Sequence, residues 1–158
     1  MAILQKLSTE KLNYQNAIVL DTDGTTDFEK VGEFHEKFKF PVSDGSCELP
    51  ATERLLFRLQ FLQEELMELT QGIRFRDPVQ IADALADLVY VAHGTAHWCN
   101  LPWDEIFAEV HRSNMQKERV AKASGSKRAD EFDCVKPVWW QPPNLKAIVE
   151  KHQVDARV

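Results

Sequence analysis

At 158 residues, with 44% hydrophobic and 28% charged side chains, the chain has the length and composition of one domain able to bury a core. Its 19 Lys and Arg against 25 Asp and Glu leave a net charge of -6, which excludes the basic face that a nucleic-acid polymer requires. Three widely spaced cysteines (Cys47, Cys99, Cys134) exclude a zinc ribbon or disulfide framework, and no apolar run is long enough to span a membrane or form a secretory leader; the expectation is a cytoplasmic protein with reduced thiols.

Residues 1–26 read as an N-terminal extension. Within it, NAIVLDTDGTT joins a short apolar run to a D-T-D-G-T stretch that resembles the nucleophile motif of haloacid dehalogenase-like phosphatases. That resemblance implies Asp21 as nucleophile and Asp23 as general acid, a sensible pair for phosphoryl transfer. The fold behind it needs several further strand–helix units, whereas the chain after Phe28 is patterned almost wholly for helix. A turn, with Asp and Gly supplying its backbone conformations inside a short N-terminal β-hairpin, is the favoured reading.

A first helix is expected from Asp27 as N-cap, with Phe28, Val31, Phe34, His35 and Phe38 at helical spacing and Pro41 ending it. His35 borders that aromatic stripe and reads as packed or surface, not as a ligand. FPVSDGSCELPAT is a loop by its Pro, Gly and Ser content. A second helix is expected from about Ala51 to Gly72, and a third from the Asp77–Pro78 start to about Cys99. The short turn between them makes the two antiparallel neighbours. A fourth starts at Pro102, and its wheel turns Asn114 and Lys117 inward with Ile106 and Val110. Residues 121–158 form a C-terminal arm: a polar, mobile loop, then KPVWWQPPNL, then a short last helix. Trp139 and Trp140 suit packing of that arm better than stacking on a base.

The second and third helices carry the chemistry. Glu64, Glu65 and Glu68 make an E-E-x-x-E cluster beside an apolar stripe of Leu55, Leu59, Leu62, Leu66 and Leu69. On the third helix, Asp83 and Asp87 lie one turn apart, opposite a broad apolar face of Ile81, Leu85, Leu88, Val89, Ala92 and Ala96. No Lys or Arg occurs between Arg76 and Arg112. An E-x-x-E alone usually marks a solvated face, and an Asp pair alone can be a structural contact. Both together, on adjoining helices without a local cation, favour a hard divalent ion, Mg²⁺ or Mn²⁺, held by Glu64, Glu65, Glu68, Asp83 and Asp87.

E-E-x-x-E followed by IADALADLVYVAHGTA resembles the all-α nucleoside triphosphate pyrophosphohydrolases, a superfamily of MazG-like, phosphoribosyl-ATP pyrophosphohydrolase-like and dimeric dUTPase-like enzymes. VGEFHEKFKFPV resembles their first helix, HRSNMQK the Asn and Lys after the acidic helices, and KPVWWQPPNL their tail. Many members carry E-x-x-D on the second acidic helix; here the motif is D-x-x-x-D, with Ala84 at the position of the Glu. The resemblance implies an all-α antiparallel bundle with a four-helix core, one domain over 1–158, and a homodimer or homotetramer. It also implies Mg²⁺-dependent cleavage of a nucleoside triphosphate between the α and β phosphates. Glu64 or Glu65 would act as the base, and Asn114, Lys117 and Lys136 would hold phosphate. A non-catalytic helical nucleotide-binding protein is the alternative from another class.

Overall fold

In the computed structural model, which describes residues 24–40 and 49–155, the chain forms five helices: α1 (Asp27–Lys37), α2 (Thr52–Phe75), α3 (Pro78–Trp98), α4 (Trp103–Asn114) and α5 (Leu145–Asp155). The all-α expectation holds. Residues 1–23 of the extension, with Asp21, Asp23 and the expected hairpin, lie outside the described residues, as does Cys47. A two-stranded antiparallel pair occurs elsewhere, with β1 (Glu118–Arg119) against β2 (Cys134–Val135). The stretch expected as a mobile loop is therefore tied down. Asp133 accepts hydrogen bonds from Ser126 Oγ at 2.7 Å and Arg128 Nη1 at 2.8 Å, which closes the connection between the strands.

Local chemistry explains the helix starts. Thr26, not Asp27, caps α1: its hydroxyl accepts from the Glu29 N–H, and the Glu29 carboxylate accepts from the Thr26 N–H, a reciprocal capping box. Asp77 caps α3 as expected, its carboxylate accepting from the N–H groups of Val79 and Gln80, with Pro78 in the first position; such a cap contributes about 1 kcal/mol. Gly72 does not end α2, which runs three residues further to a left-handed Arg76 (φ 56°). Gly72 serves close approach instead. A Cβ there would sit 3.0 Å from both Ile81 Cγ1 and the Ile81 backbone nitrogen, so a larger residue would push the start of α3 back by a few tenths of an ångström.

α3 is the central rod, packed by α2 along its length and crossed by α1, while α4 and α5 pair with each other. Small residues make the close contacts: Ala84, Gly94 and Ala96 are buried on α3. The apolar stripes fare differently from expectation. Leu59 and Leu66 on α2 are 45% and 56% exposed, and Leu85 and Val89 on α3 are both 48% exposed. The reason is geometric: α3 turns Ala84 and Gly94, near its aspartate side, toward α1 and α2, so part of its apolar face is left over. No described helix is long and apolar enough to cross a membrane.

The arm is clamped to the end of α4. Trp140 Nε1 donates to the Ser113 carbonyl at 2.9 Å, Ser113 Oγ donates to the Gln141 carbonyl at 2.9 Å, and the Gln141 N–H donates to Gln116 Oε1. Trp140 thus has the packing role. The wheel's inward placement of Asn114 is corrected here: α4 ends at Asn114, which is exposed, and its neighbour Ser113 takes the buried position against the arm.

Candidate active site

Helix register brings the acids together. Gly72 abuts Ile81 at one end of the α2–α3 seam, and Arg58 reaches Val91 and Thr95 at the other. Glu65 lies about two turns from each of the α2 anchors, and Asp87 about two turns from Ile81 and from Gly94. In an antiparallel pair this sets Glu65 opposite Asp87. Glu68 is one turn along from Glu65, and Asp83 one turn along from Asp87.

The electrostatics agree. Glu65 is half-buried, and its carboxyl is held above the usual glutamate range, first by desolvation and then by the charges of Asp87, Glu68, Glu64 and Asp83. No cation is among the groups acting on it. None of the five carboxylates takes part in an ion pair or hydrogen bond among the described residues. They are gathered yet not closed: no three His, Cys, Asp or Glu among the described residues converge into a ready coordination shell. The donor chemistry nevertheless suits a hard divalent cation, since unpaired, mutually repelling carboxylate oxygens are what such an ion relieves.

The candidate phosphate contacts lie on or beyond α4. Lys117 is half-buried just beyond α4, and Asn114 is exposed at its end. Lys136 lies 3.9 Å from the centroid of the Trp140 ring, a cation–π contact that occupies its ammonium. None of the three is among the groups acting on Glu65.

Sequence reasoning missed an aromatic group on the same side. Tyr90 lies one turn beyond Asp87 on α3, and Phe34 meets its ring edge-on at 5.4 Å, with Phe38 and Phe40 behind. The wheel sets Tyr90 on the aspartate side, and Phe34 and Phe38 are expected on the stripe of the first helix; all four rings are more than a third exposed. A cleft of about 640 Å³ opens elsewhere, lined by Phe28, Val89, His93, Trp103 and Phe107 among others, and none of the five carboxylates reaches it. The cleft and the charge cluster are therefore separate features of the fold.

Two antiparallel helices thus gather five unpaired carboxylates along one seam of an all-α fold. The family model for phosphoribosyl-ATP pyrophosphohydrolase matches residues 31–114, more than half of the chain, and the protein belongs to that family, one of MazG-like all-α pyrophosphohydrolases. The matched stretch runs from α1 to the last residue of α4, so it contains all five carboxylates and Asn114 but neither Lys117 nor Lys136. Comparison with curated proteins gave no match. Membership points to a pyrophosphohydrolase acting on nucleotide-like substrates.

Proposed function

We propose that the protein is a cytoplasmic, Mg²⁺-dependent nucleoside triphosphate pyrophosphohydrolase that cleaves between the α and β phosphates to give a monophosphate and pyrophosphate. The observation that carries this reading is Glu65, seated among four further carboxylates with no cation acting on it. Without a divalent ion such a patch repels a triphosphate; with Mg²⁺ or Mn²⁺ held by Glu64, Glu65, Glu68, Asp83 and Asp87 it gains charge neutralisation of the phosphates and a more acidic water.

The chain's own groups supply the rest. Glu65, with its raised pKa, is a stronger base than an ordinary glutamate and accepts the proton of the attacking water, with Glu64 beside it as the alternative. Water oxygen bonds to phosphorus at the α–β anhydride, the bond to the bridging oxygen breaks, and pyrophosphate leaves. Tyr90, one turn from Asp87, and Phe34, whose ring meets it from α1, offer ring faces for a nucleobase. Asn114, Lys117 and Lys136 are the groups proposed to hold phosphate oxygens.

Purified protein with Mg²⁺ is expected to release pyrophosphate from at least one nucleoside triphosphate in a panel of deoxy- and ribonucleotides. Release from none of them overturns the reading. Activity confined to phosphoribosyl-ATP would keep a pyrophosphohydrolase but remove the triphosphate as substrate. Orthophosphate release that survives Glu65→Gln and disappears in Asp21→Asn would move the chemistry to the N-terminal motif.

Association follows from the apolar surface left over by the bundle. Leu56, Leu59, Leu66, Met67, Leu85 and Val89 are each about half exposed or more along α2 and α3, and a second copy of the same face is the self-complementary cover. The protein is therefore expected to elute as at least a dimer in size-exclusion chromatography at low concentration. A species of single-chain mass only would count against it.

A further inference from the structure

Arg58 is a half-buried guanidinium with no carboxylate partner among the described residues, placed where α1, α2 and α3 meet. Its Nη2 donates to the Val91 carbonyl at 2.8 Å and its Nε to Thr95 Oγ1 at 3.2 Å. Thr95 Oγ1 donates in turn to the same Val91 carbonyl at 2.8 Å, so hydroxyl and guanidinium converge on one oxygen. The Phe61 and Trp98 rings flank the guanidinium at 5.6 and 5.3 Å. Gly94 makes the approach possible. A Cβ there would lie 2.6 Å from Arg58 Nη2 and 2.8 Å from His35 Nε2, so a larger residue would force one of these side chains to shift. A glycine inside a helix costs about 1 kcal/mol relative to alanine, and here it secures a three-helix junction.

We propose that Arg58 is a positioning residue for the carboxylate patch: by gripping the Val91 carbonyl and the Thr95 hydroxyl it fixes the axial register of α3 on α2 that sets Glu65 opposite Asp87. The role rests on the site reading above. Val91 is one turn from Asp87, and Arg58 is two turns from Glu65 on the same helix, so a slip at the junction is transmitted along two rigid rods. The seam needs such a tie because the five like charges between its two ends push the helices apart. A planar fork that binds two acceptors is required, which lysine cannot supply.

Two variants test this, with Mn²⁺ binding followed by electron paramagnetic resonance in the absence of nucleotide. Arg58→Lys keeps the charge and loses the fork; Thr95→Val keeps the shape and loses the hydroxyl. Each is expected to weaken Mn²⁺ binding by about tenfold, as loss of an outer supporting contact does. Thr95→Ser should restore affinity, which a purely structural role would not link to metal binding. Parent-like Mn²⁺ affinity in both folded variants overturns the proposal and leaves the site reading intact. A parent protein that binds no Mn²⁺ overturns the site reading and the proposal together. Should Arg58→Lys fail to fold, the Thr95 pair decides alone.

Discussion

Glu65→Gln is expected to lower pyrophosphate release by about 10²–10⁴-fold, the range for losing a positioned proton acceptor, while leaving the helices folded. The same substitution should raise the melting temperature in the presence of a chelator. Both effects have one cause. Glu65 is crowded by Asp87, Glu68, Glu64 and Asp83 and partly desolvated, so its folded pKa lies above the unfolded one. The folded state then holds the proton more tightly, and ionisation at neutral pH opposes folding. The sign for this group is that stability in chelator falls as pH rises from the ordinary glutamate range through the raised value. Glutamine, with the same shape and no charge, removes that opposition. Added Mg²⁺ should reverse the order, stabilising the parent more than the variant. Thermal melts with chelator and with Mg²⁺, run beside the activity assay, check all three. A variant that is inactive and also less stable in chelator would show that Glu65 is not held in a repulsive cluster.

The second large effect lies at the three-helix junction. His35 is 3% exposed, and its pKa is lowered from 6.5 to about 4, first by burial and then by the charges of His97 and Arg58. Arg58 reaches it from α2 and His97 from α3, and Phe40 covers the ring from beyond α1. His97 Nε2 is itself engaged, donating to the Phe28 carbonyl at 2.8 Å. Because the folded pKa lies below the unfolded one, the unfolded chain binds more protons between pH 4 and 6.5. Stability from this group is fully present above 6.5 and is lost as pH falls from there to about 4, amounting to about 3 kcal/mol by the end. Urea unfolding at pH 7 and pH 5 should show a marked loss at the lower pH. His35→Gln, which removes the titration, should flatten that loss while lowering stability at pH 7. An equal pH dependence in the variant would place the acid sensitivity elsewhere. Glu65 works in the opposite direction over part of this range, so the comparison is between proteins, not between pH values in one protein.

Much of the candidate site was legible in the chain. Two acidic patterns on adjoining helical segments, with a gap in Lys and Arg from Arg76 to Arg112, mark the seam before any coordinates. Helical spacing shows which carboxylates share a face, and the Asp77–Pro78 start shows where α3 begins, because capping is chemistry between neighbours in sequence. Asn114 was misplaced by the same method. A wheel assumes that the helix continues, and α4 ends where the arm's Trp140 and Gln141 take over its last carbonyl and side chain.

The sequence alone determined the all-α class, the five carboxylates and their division between two antiparallel rods, since those follow from period, caps and charge. Only the tertiary structure decided that Gly72 and Gly94 are contact points, that Arg58 grips the Val91 carbonyl, that His35 is sealed beside it, and that Leu59 and Leu66 of the leucine stripe face out. These depend on how near two helices come and at what register. That distance is set by small residues meeting across the seam, a relation between residues far apart in the chain that no local pattern encodes.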